Sequence, residues 1–181
     1  MDPKAHAVLS FWFDPANRVH WFEQEDGFDT RLAQRFDSIW QAAVAGECAH
    51  WRAEIRGRLA EILVLDQFSR NLQRGRAQAY AQDGMALVLA QETLRLPEYQ
   101  QLPPTEQKFI LMPFMHSESR VIHTQAEAWF VQLGDAATLD FECRHKAIID
   151  RFGRYPHRNK ILGRQSTSEE LIFLQQPDSS F

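Results

Sequence analysis

The residues best able to do chemistry crowd into Arg151 to Arg164, RFGRYPHRNKILGR, where four Arg and one Lys stand without an acidic residue. A guanidinium is a rigid fork of donors that matches carboxylate or phosphate oxygens two at a time. Arg151, Arg154, Arg158 and Asn159 are therefore candidate anion-binding groups, and His157 among them is a candidate for moving protons. The competing reading is that these arginines pair with carboxylates of the same chain and lock the last helices in place, since ion-pair networks also concentrate Arg.

Two further constellations carry polar chemistry. In Leu65-Asp66-Gln67-Phe68-Ser69-Arg70-Asn71 the acid of Asp66 precedes Arg70 by four residues, the favourable order for an intrahelical pair. On a helix so apolar elsewhere, Asp66, Arg70 and Asn71 are costly unless paired, so they either pair or face a polar cavity. In Met115-His116-Ser117-Glu118 an imidazole able to titrate near neutral pH sits at a helix start beside an acid that the helix dipole favours. His116 joins His157 as a candidate general acid or base, and Glu118 joins the ligand-binding candidates or simply caps. His145 follows Phe141 by one turn and precedes Ile148 and Ile149, which reads as a hydrogen-bonded core histidine.

Other chemistries lack their signatures. No HExxH, EF-hand or Cys/His spacing points to a metal, and no cofactor motif is present. There is neither a G-x-S-x-G elbow nor a phosphate-binding glycine loop. Phe152 and Tyr155 interleave with Arg, but a formal net charge of −4 argues against nucleic acid as a partner. The basic loop is set into a remainder holding 15 Lys and Arg against 24 Asp and Glu, so any anion site is local.

The elements that position these residues read as helices. Phe28, Leu32, Phe36, Ile39, Trp40 and Ala43 form one stripe between a start signal at Asp26 and a stop at Gly46. From Gly57 to Asn71 apolar residues spread round the circumference, as in a helix with neighbours on several sides. A third helix is expected from about Arg76 to Leu96, with Ala81, Met85, Val88 and Leu89 inward. A short one runs from Thr105 to Met112, closed by Pro113. Ser117 is expected to cap the next helix, with a stripe of Val121, Ile122, Ala126, Trp129, Phe130 and Leu133 and a stop at Gly134. The penultimate helix covers about Thr138 to Phe152, and Thr167 with Glu170 makes a capping box for the last. This gives seven or eight helices, no strand, and one domain over residues 1–181.

At 181 residues with 44% hydrophobic content the chain has a core large enough to stand without disulfides or metal. Cys48 and Cys143 show no pairing pattern, which suits a reducing compartment. No apolar run nears the roughly 20 residues that cross a bilayer, and the opening lacks a signal-peptide pattern, so a cytoplasmic location is expected.

Taken in order, the motifs FWF at Phe11 to Phe13, WF at Trp21 and Phe22, RLAEILVLDQFSRN, RGRAQAYAQD, MPFMHSE, RFGRYPHRN and GRQSTSEELIFL resemble the family catalogued as domain of unknown function 924. The resemblance runs across nearly the whole chain. It implies an irregular tetratricopeptide-like α-α superhelix and brings no agreed activity. The family's motif positions fall here on Asp66, Gln67, Arg70, Asn71, His116, Ser117, Glu118, Arg151, Arg154, His157, Arg158 and Asn159, a set too polar for core upkeep alone. Three functions follow. The first is a pocket for a small phosphate- or carboxylate-bearing ligand, with Arg154 and Arg158 holding the charge, Asp66 and Arg70 orienting the ligand, and His116 or His157 handling protons. The second is a binding module that clamps an acidic peptide or chain terminus. The third is a buried ionic clasp that takes no ligand.

Overall fold

In the computed structural model the described residues, 1–177, 179 and 180, form helices and turns with no strand among them. The chain divides into two compact units, Met1–Arg74 with Gln78–Pro113, and Gly75–Ala77 with the residues from Phe114 onward.

The first unit is built round one rod. Helix α3 (Ile55–Leu63), a π-helical turn (Val64–Phe68) and α4 (Ser69–Leu72) follow one another without a break, and every residue from Leu59 to Ser69 is buried. Side chains bury all round such a helix only when neighbours stand on several sides, and α1 (Pro3–Trp12), α2 (Asp26–Val44) and α5 (Asp83–Leu94) supply them. The stripe of α2 lies inward at Phe28, Leu32, Phe36, Ile39 and Ala43, and Gly46 ends it in the left-handed region at φ 77°. Phe36 meets Phe68 of the rod at 5.3 Å between ring centres, and Trp12 meets it at 5.7 Å.

The second unit begins with an α-α hairpin. Helices α7 (Arg120–Leu133) and α8 (Ala136–Phe152) pack on each other, joined only through Gly134 and Asp135. Gly134 takes a left-handed φ of 72°, and Asp135 accepts from the main-chain N–H groups of Ala137 and Thr138. After α8 the chain runs through a strap to α9 (Ser168–Phe173), whose capping box of Thr167 and Glu170 forms as the sequence indicates. With α3, the π turn and α4 taken as one rod, the described residues hold eight helices, and the fold is all-α.

Four local expectations change. Helix α6 (Pro104–Met115) carries on through Pro113 and ends two residues later. The ring costs one main-chain hydrogen bond near a terminus, where burial of every residue from Phe109 to Met115 offsets it. Helix α5 starts at Asp83 and not near Arg76, because Gly75 is left-handed at φ 75° and a 3₁₀ turn (Ala77–Ala79) intervenes. Its inward residues are Ala86, Leu89, Ala90 and Thr93, so Val88 is exposed. Ser119, not Ser117, stands at the cap of α7, and its side chain makes no capping bond.

One glycine is fixed by close approach. A Cβ at Gly57 would lie 2.0 Å from the carbonyl oxygen of Trp51, which is main chain and cannot swing aside. Alanine ordinarily stabilises a helix interior by about 1 kcal/mol over glycine. Gly57→Ala is expected to reverse that sign and destabilise by about 1–3 kcal/mol, as overpacking does. The check is the urea midpoint, which should fall at unchanged denaturant slope.

Candidate functional site

The sequence candidates fall into two sets, one in each unit. In the first unit Asp66 is fully buried on the π turn. Gln67 Nε2 donates to its Oδ2 at 2.5 Å, and Arg70 Nη1 stands 3.1 Å from its Oδ1. The intrahelical pair therefore forms, and it is extended: Arg70 also donates through both Nη atoms to Asp83, at 2.8 and 3.0 Å. Burial acts to lower the pKa of this guanidinium, but Asp66 and Asp83 more than offset it and the net shift is upward. Asn71 Nδ2 donates to Asp29 at 2.7 Å, and Arg74 binds the other oxygen of that carboxylate. Glu61, also fully buried on the rod, is held by both arms of Arg52 at 2.7 and 2.6 Å.

In the second unit the strap from Gly153 to Thr167 is fastened by arginines to acids of the same unit. Arg154 binds both oxygens of Glu170, at 2.7 and 2.8 Å, and donates to the carbonyl of Gln165. Arg164 binds both oxygens of Glu118, at 2.6 and 2.8 Å, and Glu118 also accepts the main-chain N–H of Tyr155 at 2.7 Å. Asn159 joins the two pairs: its Nδ2 donates to Glu170 at 3.3 Å and its Oδ1 accepts from Arg164 at 2.9 Å. Arg151 is nearer the surface, 2.8 Å from Glu169 and 4.7 Å above the ring of Phe152. Arg120, from the start of α7, donates to the carbonyls of Ile149 and Asp150 and so closes the C-terminal end of α8.

These partners set the charges. Glu170 is pulled down to a pKa of about 2, chiefly by the Arg154 hydrogen bonds, against the opposing effect of burial. Burial pushes Glu118 up, but Arg164, the Tyr155 N–H and nearby Arg158 outweigh it and hold the carboxyl below its ordinary value.

The strap itself carries Tyr155, fully buried. Its hydroxyl donates to the carbonyl of Met115 at 2.5 Å, and the guanidinium of Arg158 sits 4.5 Å from its ring centre. Arg158 is itself buried and donates to the main-chain oxygen of His116 at 3.1 Å. The rings of His145 and His157 each lie 5.6 Å from that of Tyr155. His145 behaves as a core histidine: Nδ1 bonds the carbonyl of Phe141 at 2.7 Å, and burial pushes its pKa down to about 3, so it is neutral at physiological pH. Among the described residues, no group of three or more His, Cys, Asp or Glu side chains is arranged to hold a metal ion.

Sequence reasoning missed the pair at the centre of the hairpin. His123 and Glu142 are buried, with Nδ1 2.6 Å from Oε1, while Nε2 lies 2.8 Å from the carbonyl of Ser117 and 3.3 Å from the Tyr155 hydroxyl. The inward residues of α7 are His123, Ala126 and Phe130, and those of α8 are Thr138, Glu142, His145, Ile148 and Ile149. The stripe expected for α7 used apolar residues only, which placed Val121 inward; Val121 is exposed and His123 takes the buried place. Reading polar residues at the helical period would have found both members.

The family model described as a bacterial protein of unknown function (DUF924) matches residues 8–178. The chain belongs to that family. A solved structure of a protein of unknown function from Agrobacterium tumefaciens superposes with a TM-score of 0.90 at 34% sequence identity, covering 95% of this chain and 97% of that one. No curated protein matches. Of the candidate residues, Asp66, Gln67, Arg70 and Asn71 lie in the first unit, and His116, Ser117, Glu118 and the strap residues lie in the second.

Because Glu170 is more acidic in the fold than its ordinary 4.5, its contribution to stability is complete above pH 4.5 and is lost as pH falls towards 2. Urea midpoints measured from pH 6 to 2 should show this acid limb, and Glu170→Gln should flatten it while lowering stability near neutrality.

Proposed function

We propose that the polar set of the second unit is an ionic clasp that fastens the strap and α9 to the α7–α8 hairpin. The observation that carries the reading is the matching of forks to carboxylates: Arg154 with Glu170 and Arg164 with Glu118, each through two hydrogen bonds, with Asn159 bridging them. A guanidinium that already faces both oxygens of a carboxylate has its strongest donor face occupied. An anion would have to displace an internal partner that is tethered at no translational cost.

A second reading, a site for a small phosphate- or carboxylate-bearing ligand, is favoured by the local concentration of positive charge. From Arg151 to Arg164 the chain carries five cationic side chains and no acidic residue. Arg158 and Lys160 lie in this stretch, and His116 and His157 are the neighbouring imidazoles. On this reading Arg158 and Asn159 would receive the anion and His116 or His157 would move a proton.

Arg164→Ala separates the two. A clasp predicts a loss of about 2 kcal/mol, the cost of leaving a largely buried carboxylate without its charged donors, and no rise in the parent's melting temperature on adding inorganic phosphate up to millimolar concentration. A parent that phosphate stabilises, together with an Arg158→Ala variant that melts like the parent and loses the response, would overturn the clasp in favour of the ligand site.

A further inference from the structure

The His123–Glu142 pair beneath the strap is explained by neither reading, and its hydrogen-bond geometry counts its protons. His123 Nε2 faces two oxygens. The Ser117 carbonyl at 2.8 Å can only accept, and the Tyr155 hydroxyl at 3.3 Å has already committed its hydrogen to Met115. Nε2 therefore carries a hydrogen. On the other side Nδ1 and Glu142 Oε1 are 2.6 Å apart, and two lone pairs cannot meet at that distance, so a second hydrogen lies between them. The pair thus holds one proton beyond a neutral imidazole with an ionised carboxylate. The location of that proton, on nitrogen or on oxygen, does not alter the count.

We propose that His123 and Glu142 keep this proton throughout the neutral range and release it only when the strap opens at Tyr155, which makes the pair an alkaline-sensitive latch. Losing the proton in place would set a carboxylate against an imidazole lone pair in a site where both side chains are closed to water, so the contact must separate. Burial independently raises the Glu142 pKa, and no protein donor reaches its Oε2, both of which oppose an ionised carboxylate there.

The charged surroundings do not replace the proton. Lys146 of α8 and Glu127 of α7 act on Glu142 with opposite effects. His145, also on α8, is neutral. His116, from the turn before α7, and Arg158, from the strap, act electrostatically on His145; Arg158 is engaged over the Tyr155 ring and lies close enough to Glu118 to acidify it.

The sign follows from counting. In the unfolded chain a glutamate and a histidine with ordinary values near 4.3 and 6.5 share about one proton between those values and none well above them. The folded pair keeps one. Folding therefore takes up a proton above about pH 7, and the folding constant falls roughly tenfold per pH unit until the folded pair itself deprotonates. The raised Glu142 value gives the same direction, with stability present at lower pH and lost as pH rises.

The test has two parts. The ring nitrogens of His123 are followed by NMR in ¹⁵N-labelled full-length protein from pH 6 to 8.5. A His123 signal that holds one protonation state across that range is expected, and one that titrates as an ordinary imidazole overturns the proposal. Amide protection factors, corrected for intrinsic exchange, are then compared over the same range in the parent and in His123→Gln/Glu142→Gln. Protection at residues 153–164 should fall up to tenfold per pH unit in the parent relative to the variant, while α2 stays level. Equal pH dependence in the two proteins, or a fall spread evenly over both units, overturns the latch. A double variant that does not fold leaves the NMR measurement decisive. The consequence for the strap rests on the clasp reading, whereas the proton count does not: a static His123 with no strap opening would sink the latch and leave the clasp standing.

Discussion

A buried carboxylate must be met by donors, and the second unit is organised by how Glu118 and Glu170 are met. Each lies where water cannot fully solvate it, and each is answered by an arginine that arrives from more than ten residues away in the chain. Because a bidentate pair fixes direction as well as distance, Arg154 and Arg164 determine the path of the strap between them. Gly153 makes that path possible. It ends α8 at a left-handed φ of 71°, with Arg120 stacked close to where a Cβ would project and bonded to the last carbonyls of the helix. The strap then delivers Tyr155, whose hydroxyl and ring meet Met115, His123, His145 and Arg158.

The first unit solves the same problem on a different element. Its central rod is apolar round its circumference, yet it carries Glu61, Asp66 and Arg70 at positions that packing brings inside. Each acid is matched: Arg52 holds Glu61, and Arg70 stands between Asp66 and Asp83. Breaking one member of such a group leaves the other charge buried and unanswered, which is why these residues tolerate replacement less than an exposed pair does. The π turn across Val64–Phe68 coincides with the buried Asp66 and Gln67. Such turns often accompany functional positions.

Much of this could be read from the chain. The stripe of α2, the stops at Gly46 and Gly134, the capping box at Thr167 and Glu170, the Asp66–Arg70 pair and the inward His145 all follow from interactions between residues at most four apart, where helical geometry fixes who meets whom. The misreadings share one cause. Val88 and Val121 looked inward because they are apolar, and Pro113 looked like a stop because of its ring; in each case the surrounding burial decided otherwise. His123 gained no role from the sequence because an apolar stripe has no place for an imidazole until Glu142 is known to stand opposite.

The sequence by itself determined an all-α chain with one stretch that is cationic and free of acids, since periodicity, caps and composition are local properties, and its motifs carried the resemblance to the DUF924 family. Only the tertiary structure decided what that stretch does with its charge. Whether Arg154 and Arg164 are open to a ligand or already answered depends on Glu170 and Glu118, which lie 16 and 46 residues away from them along the chain. Coulomb forces act through space, and separation along the chain says nothing about which charges will face each other once the helices pack.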